Sequence, residues 1–578
     1  MTKKKNVEET LRHSTAHVLA AAVLEMFPEA KFGTGPAIEN GFYYDFDLPR
    51  TLIPEDLPLL EEKMRAIIKA GHKFEEAKIS ASTAKTDFKK LGQTYKLELI
   101  EDLEKENEQI CIYKAGPFVD LCAGPHVAST KDINPEAFKL TKISGAYWKG
   151  DENKKQMQRI YGVVFESKKE LEQYLSMLEE AEKRDHKKLG RELDLFSFHP
   201  EAPGSAFWHP KGMIIWNELE KFGKSIRKKF GYLEIQTPIL AKNSLWQTSG
   251  HWDHYKKDMF YFDVNGETYC IKPMDCPFNI KIYQTKQRSY KDLPIRYTEI
   301  GRVLRNEKSG ELNGLLRVRH ITQDDSHIFL TKEQVKEEIA ALVKMAKEYY
   351  QAFELEPEFY LSTRPENFMG EIKDWNEAEK DLEGALKKEK VKYEIKEKDG
   401  AFYGPKIDID IKDALGRPWQ LATIQLDFQL PQRFELEYID SDGKKKTPVM
   451  IHAAIFGAFE RFIGIIIEHY AGAFPIWLSP VQALVIPVSE EKFGKYAKKV
   501  LEKLNIAGIR AEIDATNESL GKRIHNGEKQ KIPYMLIVGE KEMQAESVAV
   551  RHRDKGDEGM IKLEDFIEKL KKEIGGKK

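Results

Sequence analysis

The order of apolar and polar positions divides the chain into several textures. In residues 8–27, Ala16, Leu19, Ala20, Val23, Leu24 and Phe27 recur at helical spacing, which predicts an amphipathic helix. Residues 33–47 carry Gly, Pro and the cluster Gly41-Phe-Tyr-Tyr-Asp45, the signature of turn and strand. A charged helix is predicted at 55–70 and a strand at 158–165. Residues 168–191, dense in Lys, Glu, Leu and Arg, predict one long solvated helix linking two domains.

From 195 to 479 strand patterns alternate with helices and loops. Segments 293–303, 315–329 and 418–428 are expected to be neighbours in one large sheet. Their connections are hairpins or long insertions, so the sheet should be mostly antiparallel. Residues 449–470 form a long apolar run that predicts a buried helix lying across that sheet. Beyond 480, strands at 483–488, 510–513, 533–538 and 547–551, with helices near 490–504, 517–530 and 563–573, predict a compact α/β domain.

At 578 residues the chain has room for three or four domains, and a hydrophobic content of 41% allows large cores. The longest apolar run contains Glu460, Arg461 and glycines, so no membrane span is expected. The start, Met1-Thr-Lys-Lys-Lys-Asn-Val-Glu-Glu, has charges without the apolar stretch of a secretion signal. Four cysteines in so long a chain do not make a disulfide framework and fit a reducing compartment. With a net charge of −2, any RNA partner must be held by local basic patches rather than by a global field.

Four constellations carry chemistry. Around a Gly-rich turn (Ser309-Gly-Glu-Leu-Asn-Gly314), Arg305 and Glu307 precede, and Arg317, Arg319, Gln323, Asp325 and His327 follow on alternate positions. Alternation places them on one face of a strand, and paired guanidiniums suit a polyphosphate or a carboxylate. Arg461, set among apolar neighbours, needs a counter-charge, supplied by a nucleotide triphosphate or by a carboxylate such as Glu460. The third is His13-Ser-Thr-Ala-His17, two imidazoles on one helix face, with Cys122-Ala-Gly-Pro-His126. That set has the chemistry of a zinc site and of a hydrolytic pocket, and Asp120 and Lys142 lie in adjoining segments. Cys276, His327 and His452 are also candidate ligands, although their separation in sequence cannot show that they meet.

Taken together these segments resemble the class II aminoacyl-tRNA synthetases, and within them the threonyl family. Tyr232-Leu-Glu-Ile-Gln-Thr-Pro238 is similar to the dimer-interface motif, residues 302–323 to the ATP-binding hairpin, and 457–464 to the motif with the second nucleotide arginine. Its most specific markers are His13-x3-His17 with Cys122-x3-His126, and the runs Thr322-Gln-Asp-Asp-Ser-His327 and Ala401-Phe-Tyr-Gly-Pro-Lys406. The resemblance implies an α+β multidomain chain. Residues 1–166 would be an N-terminal α+β editing domain, 167–194 a helical linker, 195–479 a mostly antiparallel class II catalytic domain, and 480–578 an α/β anticodon-binding domain.

It also implies roles. Cys276, His327 and His452 would hold one Zn2+ per subunit. Arg305, Glu307, Arg317 and Arg461 would contact ATP and its Mg2+. Gln323, Asp325, Tyr403, Lys406 and Gln425 would line the threonine and adenylate pocket, and His251 would assist attack by the tRNA ribose. His13, His17, Asp120, Cys122, His126 and Lys142 would hydrolyse mischarged seryl-tRNA(Thr), and Glu542 and Arg551 would read the anticodon. The implied protein is a cytoplasmic homodimer with tRNA(Thr), threonine and ATP as partners and no membrane. The alternatives are another class II synthetase, such as a prolyl or seryl enzyme, or a non-catalytic tRNA-binding paralogue.

The two distant sites belong together physically. A site that binds the threonine hydroxyl rejects valine strongly, because its polar groups are left unpaired. Serine lacks only a methyl, worth roughly 1–3 kcal/mol, too little discrimination for translation, so a second hydrolytic site is needed. Departures from the family pattern include Ile321 where an adenine-stacking aromatic is usual, Phe278-Asn279 for a common Gly-His, Ala458 for a serine and His525 for an arginine. The chain is also expected to lack the small ubiquitin-like domain with which the family often begins.

Overall fold

The computed structural model describes residues 2–577, with side chains from residue 7 onward; Met1 and Lys578, which fall within the first and last expected domains, lie outside the described residues. Two compact units divide between Glu179 and Glu180.

In the first unit the helix Thr2–Met26 is the organising element. Its small residues Ala16, Ala20 and Ala22, with Val18, Leu19 and Val23, are fully buried or nearly so. Small side chains let the flanking strands approach the helix closely. The helix packs on Asp56–Ala70 and on a sheet ordered Lys31–Phe32, Gly41–Asp47, Gln156–Val164, Phe138–Tyr147. A second sheet, Phe74–Lys78, Cys111–Ala115 and Phe118–Leu121, contributes Phe118 to the same core.

The second unit is built on an eight-stranded sheet. Its order is Leu233–Glu234, Ile295–Leu304, His320–Leu330, Val449–Ala458, Pro418–Asp427, Lys406–Lys412, Pro357–Ser362, Tyr393–Lys396. Only the first and last pairs are parallel, so the expected antiparallel sheet is observed. The expected helix at 449–470 is corrected: Val449–Ala458 is a strand, and the helix is only Phe459–His469. This strand separates His320–Leu330 from Pro418–Asp427, which are therefore not neighbours. Its apolar run misleads because a central strand buried on both faces loses the alternation that marks a half-exposed one. Val449, Ile451, Ala453 and Ile455 face the helix-covered core, while Met450 packs with Cys276 and Phe329 toward the opposite side.

Two further boundaries differ. The strand expected at 315–329 begins at His320, because the consecutive residues Leu315 and Leu316 are both buried in the main core and cannot alternate faces. The single helix expected at 168–191 is two, Lys168–Arg184 and His186–Glu192. Asp185 makes the break, its carboxylate accepting from the backbone N–H groups of Lys187 and Lys188 as an N-cap. The second helix buries His186, Leu189 and Gly190 and is no solvated rod.

The last hundred residues form a five-stranded sheet, ordered Ala511–Ile513, Ala483–Pro487, Tyr534–Val538, Ser547–His552, Gly556–Lys562, with Glu490–Ile506 and Leu563–Gly575 packed on its core. The edge strand Gly556–Lys562 was not expected; its polar, glycine-containing sequence carries no strand pattern. Among the described residues no helix is long and apolar enough to cross a membrane, and all four cysteines are free.

Candidate functional site

Strand register assembles the main site. His327 pairs with His452, His452 with Gln425, and Gln425 with Lys406 across four adjacent strands. Directly opposed residues point to the same face, so two imidazoles, an amide and an ammonium form one row. Asp325 and Gln323 stand two and four positions from His327 on its strand. Cys276 opens the helix Cys276–Tyr283, and its thiol and the two imidazoles present donor atoms all within 4.8 Å of one another. The three residues thus meet, which spacing could not show.

The donor set fits a zinc-type ion. Among the described residues His327 Nδ1 is buried without a hydrogen-bond partner, and the ring is held neutral because burial and the neighbouring His452 depress its pKa well below the usual value. His452 Nε2 lies 2.8 Å from Asp427 Oδ2, the carboxylate–imidazole pairing that orients metal-binding histidines. Burial, then the carboxylates of Asp325, Asp427 and Asp275, push the Cys276 thiol well above its ordinary pKa. A cation would be required to draw off that proton.

Around this row stand the other expected residues. Tyr403 OH donates to Gln425 Oε1 at 3.0 Å, and its ring centre is 5.9 Å from that of His452. Lys406 Nζ pairs with Asp408 at 2.9 Å. Asp325 is raised well above the carboxylate range by burial and by Asp275 and Glu299. His251 lines a cavity of about 330 Å³ with Tyr255, Met274, Phe402 and Tyr403. Its Nδ1 is 2.7 Å from Ser249 Oγ, and burial lowers its pKa to about 4, so it is a neutral base at pH 7.

The arginines sit at the hairpin end of the sheet. Arg317 pairs with Glu307 at 2.9 Å and with Glu311 at 2.5 Å. Arg461 Nε donates to Leu316 O at 3.0 Å, and its pKa is lowered by burial, then by the positive charges of Arg317 and Arg305. Glu460 is not its partner: that carboxylate accepts from the Thr322 backbone N–H. Among the described residues neither Arg305 nor Arg461 has a carboxylate within ion-pair distance. Two guanidiniums without a paired carboxylate beside a third cation suit a polyanionic ligand.

Sequence reading missed the buried network beside these residues. Lys272 Nζ lies 2.5 Å from Asp275 Oδ1 and 2.8 Å from Thr237 Oγ1, and Thr237 and Asn279 both donate to Glu299. A lysine in a polar-looking stretch carries no sequence signal of burial, and only the packing reveals it.

The second cluster lies in the first unit. His13 and His17 share one helix face, and Cys122 Sγ is 3.3 Å from both His13 Nε2 and His126 Nε2. Each imidazole has another anchor: Ser14 Oγ at 3.1 Å from His126 Nδ1, the Pro125 backbone for His13, and Asp120 Oδ2 at 3.6 Å from His17 Nε2. Gly124, at φ +68°, brings its N–H to 3.2 Å from Cys122 Sγ, and a side chain there would strike the Tyr113 hydroxyl. Burial raises the Cys122 pKa to about 12 and, with mutual repulsion among the imidazoles, lowers His126 to about 2. The thiol and the rings are therefore neutral at pH 7, and each neutral ring can hydrogen-bond water or a hydroxyl.

Lys142, expected in this cluster, is exposed on Phe138–Tyr147, and among the described residues its side chain makes no hydrogen bond or ion pair. The lysine that meets Asp120 is Lys96, 2% exposed, with Nζ 2.5 Å from Asp120 Oδ1. Tyr44 OH donates to Asp120 Oδ2 at 2.5 Å, closing a buried triad. In the C-terminal domain, Glu542 accepts from the Gly539 N–H as a helix cap, and Arg551 pairs with Glu528 at 3.1 Å.

With this geometry in place, similarity to known proteins is specific. Residues 255–470 match the tRNA synthetase class II core domain (G, H, P, S and T), 482–573 the anticodon binding domain, and 110–161 the threonyl and alanyl tRNA synthetase second additional domain. A threonine–tRNA ligase of Caldanaerobacter subterraneus subsp. tengcongensis is 52% identical over 565 residues, 98% of this chain and 87% of that protein. One from Clostridium botulinum is 53% identical over 98% of this chain and 88% of its own length. Among solved structures, the RNA binding domain of threonyl-tRNA synthetase from Cryptosporidium parvum Iowa II aligns with a TM-score of 0.65 at 40% identity, covering 67% of this chain and 98% of that one. Identity of this order over nearly the whole length, joined to the class II core and both appended domains, makes the chain a member of the threonine–tRNA ligase family of class II aminoacyl-tRNA synthetases.

Proposed function

We propose that the chain activates threonine with ATP, transfers it to the 3′ end of tRNA(Thr), and hydrolyses seryl-tRNA(Thr) in the N-terminal unit. The single observation that carries this reading is the convergence of Cys276, His327 and His452 in the row that also holds Gln425 and Lys406. These three residues would hold a zinc ion, which supplies a Lewis-acidic position for a β-hydroxy amino acid. Asp325, beside that position, would hydrogen-bond the threonine hydroxyl, and Gln323, Tyr403, Gln425 and Lys406 would orient the carboxylate and adenylate. Arg305, Glu307, Arg317 and Arg461 would hold ATP with its Mg2+ and stabilise charge developing on the α-phosphate, so that catalysis is positioning and electrostatics. His251, neutral at pH 7, would assist the attack by the tRNA ribose.

In the editing unit, the neutral rings of His13, His17 and His126 would position the attacking water and the leaving ribose hydroxyl. Asp120, held by Lys96 and Tyr44, would fix the His17 ring; Lys142 would act only as a surface charge on that unit. Residues 480–578 would bind the anticodon arm, with Arg551 near His525 on the reading surface and Glu542 shaping the helix that presents it. A homodimer is proposed through the segment around Tyr232–Pro238, where Leu233, Ile239 and Leu240 are 59%, 45% and 46% exposed. With tRNA(Thr), threonine and ATP as substrates, it would act in the cytoplasm.

The test is ATP–pyrophosphate exchange with a panel of amino acids, together with metal analysis of the purified protein. Threonine activation, slower serine activation, no valine activation and one zinc per chain are expected. Preference for another amino acid would reject the substrate, and metal-free protein with full activity would reject the zinc.

A further inference from the structure

We propose that His186, on the helix after the Asp185 break, is a positioning residue for ATP: it braces the base of the nucleotide hairpin against the helix that carries Arg461. The inference rests on the threonine-activation reading. His186 is 1% exposed and sits between two elements remote from it in sequence. Its Nε2 is 3.0 Å from the backbone N of Leu315, and its Nδ1 is 2.7 Å from Glu468 Oε1.

The first contact fixes the tautomer. The Leu315 N–H can only donate, so Nε2 must accept and the ring proton resides on Nδ1, where it donates to Glu468. One ring therefore ties the end of the turn Ser309-Gly-Glu-Leu-Asn-Gly314 to the last turn of Phe459–His469. The other end of that helix is tied to the same segment, because Arg461 Nε donates to Leu316 O. Displacement of Leu315 would move the acceptor that aims Arg461 and shift Arg317 two residues on. Lys187 adds a contact from its Nζ to Asn313 Oδ1 at 3.3 Å, and Arg184 Nη1 donates to His469 O at 3.0 Å.

Gly314 shows how closely the hairpin is seated. It lies at φ +50°, and a Cβ there would fall 2.2 Å from His186 Nε2, well inside contact distance. Among the described residues, none of these makes a hydrogen bond or ion pair with the side chains of His327, His452, Gln425 or Lys406. The brace should therefore act on the nucleotide and leave the amino acid alone.

Two substitutions separate the functions of the ring. H186N keeps a donor toward Glu468 and orphans the buried Leu315 N–H; H186Q keeps an acceptor for Leu315 and loses the Glu468 bond. In threonine-dependent exchange by the full chain, H186N should raise the KM for ATP roughly tenfold, the effect of one unsatisfied buried donor, and leave the KM for threonine within about twofold. H186Q, which keeps the hairpin bond but loosens its tie to the helix, should raise the KM for ATP by less, roughly two- to threefold, and leave that for threonine unchanged. Gly314→Ala, which pushes the hairpin off the ring without altering His186, should reproduce the H186N pattern and decides the matter if H186N fails to fold.

Equal KM values for ATP in H186N and H186Q, a parallel rise in both substrates' KM, or a wild-type KM for ATP in Gly314→Ala would overturn the brace. If the wild-type chain shows no exchange, the activation reading itself fails. The brace is then read by hydrogen exchange, where H186N should expose amides 309–316 and unchanged protection there would reject it.

Discussion

Replacing Lys96 by methionine would strip Asp120 of its cation inside the first unit. Both residues are 2% exposed, and among the described residues Asp120 Oδ1 has the Lys96 ammonium at 2.5 Å and no other polar partner. At that separation and an effective dielectric of about 20, the gross attraction is roughly 7 kcal/mol. Desolvation offsets much of it, yet removal of one partner of a buried pair typically costs about 3–5 kcal/mol, because the remaining charge is stranded. For a unit of this size each kcal/mol lowers the melting temperature by roughly 2–4 °C, so K96M should lower it by about 6–20 °C. The assay is calorimetry of the full chain beside hydrolysis of seryl-tRNA. Hydrolysis should fall with stability in K96M, since Asp120 no longer orients His17. The double variant K96M/D120N removes the stranded charge while keeping a partner for Tyr44; it should recover most of the stability and none of the hydrolysis. A K96M protein that melts within a degree of wild type and hydrolyses seryl-tRNA at full rate would refute the reasoning.

Other predictions follow from the same geometry. His13→Ala with His17→Ala should spare threonylation and let seryl-tRNA accumulate in an aminoacylation assay with serine; unchanged clearance of that ester would remove the editing assignment. Asp427→Asn, which weakens the carboxylate holding His452, should reduce zinc affinity by roughly 10–100-fold in a chelator competition, and undiminished affinity would deny Asp427 that role. Burial raises the Glu460 pKa to about 7, so the folded state holds this proton more tightly than the unfolded chain. Its contribution is present below about pH 4.5 and lost as pH rises through about 7, a total of about 3 kcal/mol. Glu460→Gln should cancel that loss, so urea unfolding at pH 5 and pH 8 should differ less in the variant than in wild type. An identical pH dependence in the two proteins would contradict the buried acid.

Much of the chemistry was legible without coordinates. His13 and His17 are four apart on a helix, and that spacing places them on one face in any environment. The polar residues after the Gly-rich turn alternate, and Gln323, Asp325 and His327 do share a strand face. The antiparallel sheet followed from hairpin-like connections, and the C-terminal α/β pattern from evenly spaced strands and helices. These are local properties, governed by periodicities of 3.6 and 2 that short stretches of sequence carry.

What tertiary structure decided is non-local. Val449–Ala458 became the strand between His320–Leu330 and Pro418–Asp427 because burial on both faces erases alternation, and that insertion alone sets His452 between His327 and Gln425. Lys96, not Lys142, reached Asp120, and Lys272 reached Asp275, because long side chains that look solvated in sequence were enclosed by their neighbours. Arg461 donates to the Leu316 carbonyl and not to Glu460, a choice between partners that no pattern along the chain encodes. Contacts between residues a hundred or more positions apart depend on strand register and helix packing. The sequence determined which groups were available to the two sites, and the packed fold determined which of them meet.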